Sequence, residues 1–297
     1  MNKKYEYVFV VGCPRSGKTL LQKMLAFHGD FAWFSQYYSH FNFFPVIGAL
    51  NKIYDLPTVG TFLSIFNEKI FLPHPVEMLK NYNEKLRGKG SLQEDDVTDV
   101  AKKKIKRIFE KQLQYQKKRI FLTDEGRPAR MLYFQEIFPK SKFIHVIRDG
   151  RDITATLLRD RSDWFSKDLD LHSFYKFVPK DFSQSLLKYK NTDNYILALV
   201  ALRWKMAISE IEKQRKGINE QNYLLVKYED IVDNKVDTLN KVLKFLGLNW
   251  TKKLKTVIKN KNLYNENIRE SYFSPKQKKI LNELLKNSLI KYRYELS

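Results

Sequence analysis

The sequence holds a single cysteine, Cys13, among 297 residues, which excludes an internal disulfide. No Cys/His cluster shows the spacing of zinc ligands. Apolar runs are short, and none approaches the roughly 20 residues of a membrane-spanning helix. Internal repeats, low-complexity tracts and linkers are also missing, so residues 1–297 are expected to form one domain. The chain is 43% hydrophobic and 14% aromatic, enough for a sizeable core and too much for a disulfide-stapled mini-protein. A strand candidate begins within ten residues of Met1, leaving no room for a signal peptide. A soluble, cytoplasmic protein with no transmembrane segment is therefore expected.

Acidic residues are scarce beside basic ones, 33 against 54, for a net charge of +21. That surplus points to anionic partners: nucleic acid, a membrane surface, a polyanionic glycan or a phosphorylated cofactor. Only 14 of the 54 are Arg, and the Lys excess is spread along the chain in a way that composition drift would also produce. Its densest run, Lys102 to Arg107, follows Glu94, Asp95, Asp96 and Asp99 within one helical pattern. Acid at the start and base later suits the helix dipole, so the run reads as a solvated helix face. No nucleic-acid partner is expected.

Tyr5 to Gly12 is a β-branched and aromatic run ending in Gly, the pattern of a buried strand. Helical spacing follows at Leu20, Leu21, Met24, Leu25 and His28. A capping box of Ser91 with Glu94 is expected to open a helix carrying Val97, Val100, Ile105, Ile108 and Leu113. Arg119 to Thr123, Lys142 to Ile147 and Asn222 to Lys227 read as further strands. Helices are expected after Ala129, after Asp149, over residues 191–216, before Gly247 and from Ser274-Pro275 onward. Strands alternating with helices imply a parallel sheet covered on both faces, an α/β fold. The stretches near 31–118 and 164–194 look like insertions, helical and rich in aromatics, over the mouth of a site.

Gly12 to Thr19, GCPRSGKT, matches the phosphate-loop pattern G-x-x-x-x-G-K-[ST] between a predicted strand and a predicted helix. Successive backbone N–H groups and the helix N-terminus would cradle an anionic cluster, and Arg15 and Lys18 would add charged donors. A second element is Phe143 to Thr156. There a strand leads into Arg148-Asp-Gly-Arg151-Asp152, and Thr156 follows eight positions after Arg148. An Arg at a strand's carboxyl end and a hydroxyl two helical turns on can face one phosphate.

Pro14-Arg15-Ser16-Gly17 with Thr19-Leu20-Leu21 resembles the 5′-phosphosulfate loop of P-loop sulfotransferases. Arg148 to Thr156 is similar to that family's 3′-phosphate motif. Phe138-Pro139, Tyr228-Glu229-Asp230, Phe245-Leu246-Gly247-Leu248 and Tyr294-Glu295-Leu296 resemble further segments of that family, in the family's order along the chain. The resemblance implies a three-layer P-loop fold and a donor, 3′-phosphoadenosine 5′-phosphosulfate (PAPS), that leaves as adenosine 3′,5′-bisphosphate (PAP). It implies that Pro14, Arg15, Ser16, Gly17, Lys18, Thr19 and Leu20 bind the 5′ side of the cofactor. Arg148 and Thr156 would bind its 3′-phosphate, with Arg151 a further candidate. Arg15 and Lys18 would meet the charge that builds up on the leaving group.

The chain departs from the family's pattern in three places. Lys18 stands where Thr is usual, Asp124-Glu125 replaces an Asp-Lys pair, and Gln36 lies near the place of a customary Glu base. A base must lie within reach of the acceptor hydroxyl, which leaves Glu125, Asp124 and His40. Glu125 is favoured, because carboxyl ends of parallel strands line the ligand crevice. Trp33, Tyr37, Tyr38, Phe41, Phe43 and Phe44 either pack a hydrophobic subdomain or form a platform for a phenolic or sugar acceptor. The expectation is sulfuryl transfer to a hydroxyl or amine, with no metal. The alternatives are a Mg-ATP-dependent P-loop kinase, for which Asp124 is the one plausible metal carboxylate, and a polyanion-binding module.

Overall fold

The computed structural model describes residues 5–35, 38, 44–56, 91–124, 130–260 and 268–296. Five parallel strands form its centre: β1 (Glu6–Val11), β2 (Phe31–Ala32), β3 (Ile120–Asp124), β4 (Lys142–Ile147) and β5 (Tyr223–Lys227). Their spatial order is β2-β3-β1-β4-β5. Alternate residues of each strand leave on opposite faces, and here both faces are apolar.

On one face Val8, Val10, Ile144 and Val146 pack against Leu21 and Leu25 of α1 (Lys18–Leu25), Leu239 and Leu243 of α8 (Lys235–Leu246), and Leu254 of α9 (Lys252–Asn260). On the other, Phe9, Phe121 and Phe143 meet Ile105 and Phe109 of α2 (Asp99–Gln116) and Phe134 of α3 (Met131–Ile137). Phe9 is wholly buried and stacks on Phe134 at 4.6 Å between ring centres. Its truncation to Ala would cost about 3–5 kcal/mol, as for other buried aromatics. Helices on both faces of a parallel sheet give the expected three-layer α/β architecture.

The start of α2 differs from the sequence expectation. Thr98, not Ser91, caps it, its hydroxyl accepting from Ala101 N at 3.2 Å. The acidic residues upstream form a separate 3-10 turn, Glu94–Asp96, boxed by Gln93 and Asp96. Val97 therefore precedes the helix, and Val100 is exposed. The apolar period resumes only at Ala101, Ile105, Phe109 and Leu113. The stretch 31–118 also gives β2 and α2 to the main layers, so any inserted part is narrower than expected. Residues 164–194 supply α5 (Lys180–Leu187), whose Phe182 and Leu186 pack with Leu171 and Tyr175 on α6 (Tyr195–Arg215).

The chain leaves β1 toward β2 on one side of the sheet and leaves β4 toward β5 on the other. The loops that follow β1 and β4 thus diverge at the carboxyl edge, where a crevice opens in sheets of this kind. The phosphate-loop residues follow β1, and Arg148 follows β4. The rest of the chain continues through α4 (Gly150–Asp160), α7 (Tyr228–Asp233), α10 (Ile268–Tyr272) and α11 (Pro275–Lys291).

Candidate active site

The loop after β1 is shaped by two glycines. Gly12 has φ 149°, and a Cβ there would lie 2.3 Å from the Val146 carbonyl oxygen. Gly17 has φ 92° and caps α1; its Cβ would strike the Tyr228 ring at 2.4 Å. Between them Arg15 adopts φ 66°, a conformation that L residues take reluctantly, as in loops that turn successive N–H groups inward. The buried Ser16 hydroxyl has no hydrogen-bond partner among the described residues. An orphaned donor in a tight loop opening a helix fits an anionic guest.

A cavity of about 390 Å³ adjoins the loop, lined by Pro14, Arg15, Gly17, Lys18, Thr19, Leu20, Asp124, Arg148, Thr156 and Tyr228. The loop cations differ sharply in setting. Lys18 is buried, its ammonium 3.2 Å from Asp124 Oδ1, while Thr19 donates to Asp124 Oδ2 at 2.8 Å. Arg15 is exposed, and its guanidinium lies 3.8 Å from Asp160 at the end of α4.

Arg148 enters from the opposite side. Its guanidinium lies 4.3 Å from the centre of the Tyr228 ring and donates to the Arg15 carbonyl at 3.4 Å. Thr156 lines the same cavity, but its hydroxyl donates to the Asp152 carbonyl at 2.7 Å and would have to rotate to meet a phosphate. Arg151 takes another course. It grips the Asp149 carboxylate through Nη2 at 2.7 Å and reaches Asn282 and the Glu295 carbonyl. Arg269, for which no local sequence signal exists, bridges Asp149 at 2.7 Å and Asp152 at 3.0 Å. Burial raises the Asp152 carboxyl above its ordinary range, with Arg269 opposing.

Beneath the loop, burial pushes the Cys13 thiol up to about 12, leaving it a protonated packing group. Burial, reinforced by Lys18, pushes the His145 imidazole down to about 3, so it is neutral. Trp33 and Tyr38 are core residues and form no open platform; Phe44 is exposed. Glu125, Gln36, Tyr37, His40, Phe41 and Phe43 lie outside the described residues. Among the described residues, no group of three or more His, Cys, Asp or Glu could hold a metal ion. Nor is any described helix long and apolar enough to cross a membrane.

The arrangement places a glycine-shaped loop after β1 and a buried arginine after β4 on one cavity. Residues 7–252 match the profile of the Sulfotransferase family. The chain belongs to that family. It is 22% identical over 262 residues to protein-tyrosine sulfotransferase 2 of Gallus gallus, covering 84% of this chain and 53% of that protein. The chain spans about half the length of the curated relatives it matches. Sulfotransferase STF9 from Mycobacterium avium superposes with a TM-score of 0.54 at 13% identity, over 98% of this chain and 78% of that one. The sulfotransferase domain of the Synechococcus PCC 7002 olefin synthase gives 0.50 at 17% identity, over 100% and 98%. At these identities the structural likeness speaks for the fold.

The sequence marks the loop, Arg148 and Thr156, and the structure lines one cavity with Pro14, Arg15, Gly17, Lys18, Thr19, Leu20, Arg148 and Thr156, while Ser16 is buried and outside that lining. Tyr228 lay within a recognised segment, but nothing in its spacing showed that its ring fills the space between Gly17 and Arg148. The double contact of Asp124 with Lys18 and Thr19 joins residues more than a hundred positions apart and has no local signature.

Proposed function

We propose that this protein transfers a sulfuryl group from PAPS to a hydroxyl, or an amine, of an acceptor, releasing PAP. The observation that carries the reading is the convergence of the phosphate loop and Arg148 on one cavity, in a chain of the Sulfotransferase family. A nucleotide with charge at both its 5′ and 3′ ends matches two anion stations. The glycine cradle and the unpaired Ser16 hydroxyl fit its phosphate oxygens.

Bound in this crevice, the donor would supply an activated sulfuryl group on its 5′-phosphate. Backbone N–H groups of Ser16, Gly17, Thr19 and Leu20 hold the 5′ end, and Arg148 with Thr156 holds the 3′-phosphate. Lys18 and Arg15 stabilise the negative charge that grows on the leaving oxygen. Arg15 must first give up Asp160, an exposed pair that contributes little. Glu125, one residue past the end of β3, takes the proton from the acceptor hydroxyl.

A phenolic acceptor is supported by the name that curated relatives carry, protein-tyrosine sulfotransferase. The charge of +21 supports an acceptor that is already anionic, such as an acidic phenol or a glycan. Cytoplasmic action belongs to the same reading, since the lone Cys13 needs no oxidising compartment. The kinase reading ranks second, because Asp124 is already engaged by Lys18 and Thr19 and a cation, Arg148, follows β4.

The test is direct. The protein is incubated with PAPS and a phenol in EDTA, and PAP release is followed by chromatography. Release that depends on the phenol supports transfer. No release in EDTA, with phosphate transfer from Mg-ATP instead, would reject it.

A further inference from the structure

The last residues of the chain come back to the 3′-phosphate side of the crevice. Past α11 the backbone turns through Arg293 at φ 57°, which sends Tyr294 and Glu295 toward the ends of β4 and β5. Two arms reach inward from there. In the first, the Tyr294 hydroxyl donates to Glu229 Oε2 at 3.1 Å, while Glu229 Oε1 accepts from the Asp149 backbone N–H at 3.1 Å. Glu229 directly follows Tyr228, the ring against which Arg148 lies. In the second, the Glu295 carbonyl accepts from Arg151 Nη2 at 2.7 Å. The same guanidinium holds the Asp149 carboxylate, and Asp149 directly follows Arg148.

Arg148 itself is lightly anchored. Among the described residues its guanidinium makes one hydrogen bond, at 3.4 Å, besides the Tyr228 ring. Its direction therefore depends on that ring and on the backbone at Asp149. Each of these is tied to the C-terminal segment by a chain of charge-assisted hydrogen bonds, buried at Asp149 and Arg151 and half-buried where they reach Tyr294 and Glu295. Lys227 strengthens the attachment, donating to the Arg293 carbonyl at 3.2 Å with its ammonium 4.5 Å from the Tyr294 ring centre.

We propose that Tyr294 and Glu295 act as positioning residues for the 3′-phosphate station: they touch no nucleotide and hold Arg148 ready for one. The inference rests on the sulfuryl-transfer reading above. A donor held in advance loses less freedom on binding, so loosening it weakens the ligand that uses it and spares one that does not.

Two variants of the full chain test this. Tyr294→Phe keeps the ring and removes only the hydroxyl. Arg151→Lys keeps the charge but gives up the fan of bonds to Glu295 and Asn282. Binding of PAP and of adenosine 5′-phosphate is measured by calorimetry. Loss of one charge-assisted bond in Tyr294→Phe, and of several in Arg151→Lys, should weaken PAP by about fivefold or more in each variant, leaving adenosine 5′-phosphate within about twofold. Equal weakening of both nucleotides, or a lowered Tm with an unchanged ratio, would show a purely structural tail and overturn the proposal. If the unmodified chain binds the two nucleotides equally, the 3′-phosphate reading fails, and that failure is read before any variant is made.

Discussion

The Lys18 ammonium lies 3.2 Å from Asp124 Oδ1, and both side chains are almost wholly buried. A carboxylate beside the loop would repel the anion that the proposed function places there. The pair therefore balances charge within the fold: Asp124 neutralises a buried cation that an anionic guest would also attract. Breaking a buried ion pair by removing one partner costs about 3–5 kcal/mol. Asp124→Asn should thus lower the Tm of the empty protein, and PAP should raise the Tm of the variant more than that of the wild type. An unchanged Tm with an unchanged ligand response would contradict this account of the pair.

Arg148→Ala should weaken PAP by about 1.5–3 kcal/mol, the usual loss for a charged hydrogen-bond partner. Adenosine 5′-phosphate, which lacks the 3′-phosphate, should bind nearly as before. Calorimetry on both nucleotides measures the difference; parallel losses would place Arg148 elsewhere in the recognition.

Gly17→Ala should be poorly tolerated. The backbone at φ 92° resists a side chain, and the new Cβ would meet the Tyr228 ring at 2.4 Å. Strain of this type costs about 1–3 kcal/mol, and the displaced ring would disturb Arg148. Thermal melts together with PAP titration should show both effects; a variant with normal Tm and affinity would refute the close packing.

His145 makes a pH dependence that can be signed. Its imidazole titrates near 6.5 when unfolded and is pushed down to about 3 in the fold. Above pH 6.5 it is neutral in both states and costs nothing. As pH falls from 6.5 toward 3, the unfolded chain takes the proton first, and stability drops by about 1.4 kcal/mol per pH unit. His145→Asn removes this slope, so the difference in unfolding free energy between wild type and variant should change across that window. A constant difference would mean that His145 is not held neutral.

Glu125→Gln should lower kcat by about 10²-fold, the usual scale of general-base catalysis, with little change in PAP affinity. Near-normal turnover would pass the role to Asp124 or His40.

How much of this was legible in the sequence follows from the range of the interactions. GCPRSGKT lies between a β-branched run and a helical period, so local pattern alone located the loop. Strands such as Lys142–Ile147 are apolar on both faces, and a short run of Val, Ile and Phe identifies them. The start of α2 departs from the expected Ser91–Glu94 box because Thr98 caps the helix where the apolar face of Ala101 and Ile105 meets the core. Arg151 shows the limit most plainly. Its sequence position beside Arg148 suggested a phosphate ligand, whereas its actual partners, Asn282 and Glu295, are brought to it by α11. Tyr38 likewise reads as a candidate platform until the fold buries it, stacked on Phe34.

The central claim is that this crevice recognises a nucleotide phosphorylated at both its 5′ and 3′ positions, without metal. Thermal-shift titration in EDTA with PAP, adenosine 5′-phosphate and ATP, repeated for ATP with Mg²⁺, tests it most directly. The account predicts that PAP in EDTA gives the largest stabilisation. Stabilisation by Mg-ATP alone, with none by PAP, would contradict it.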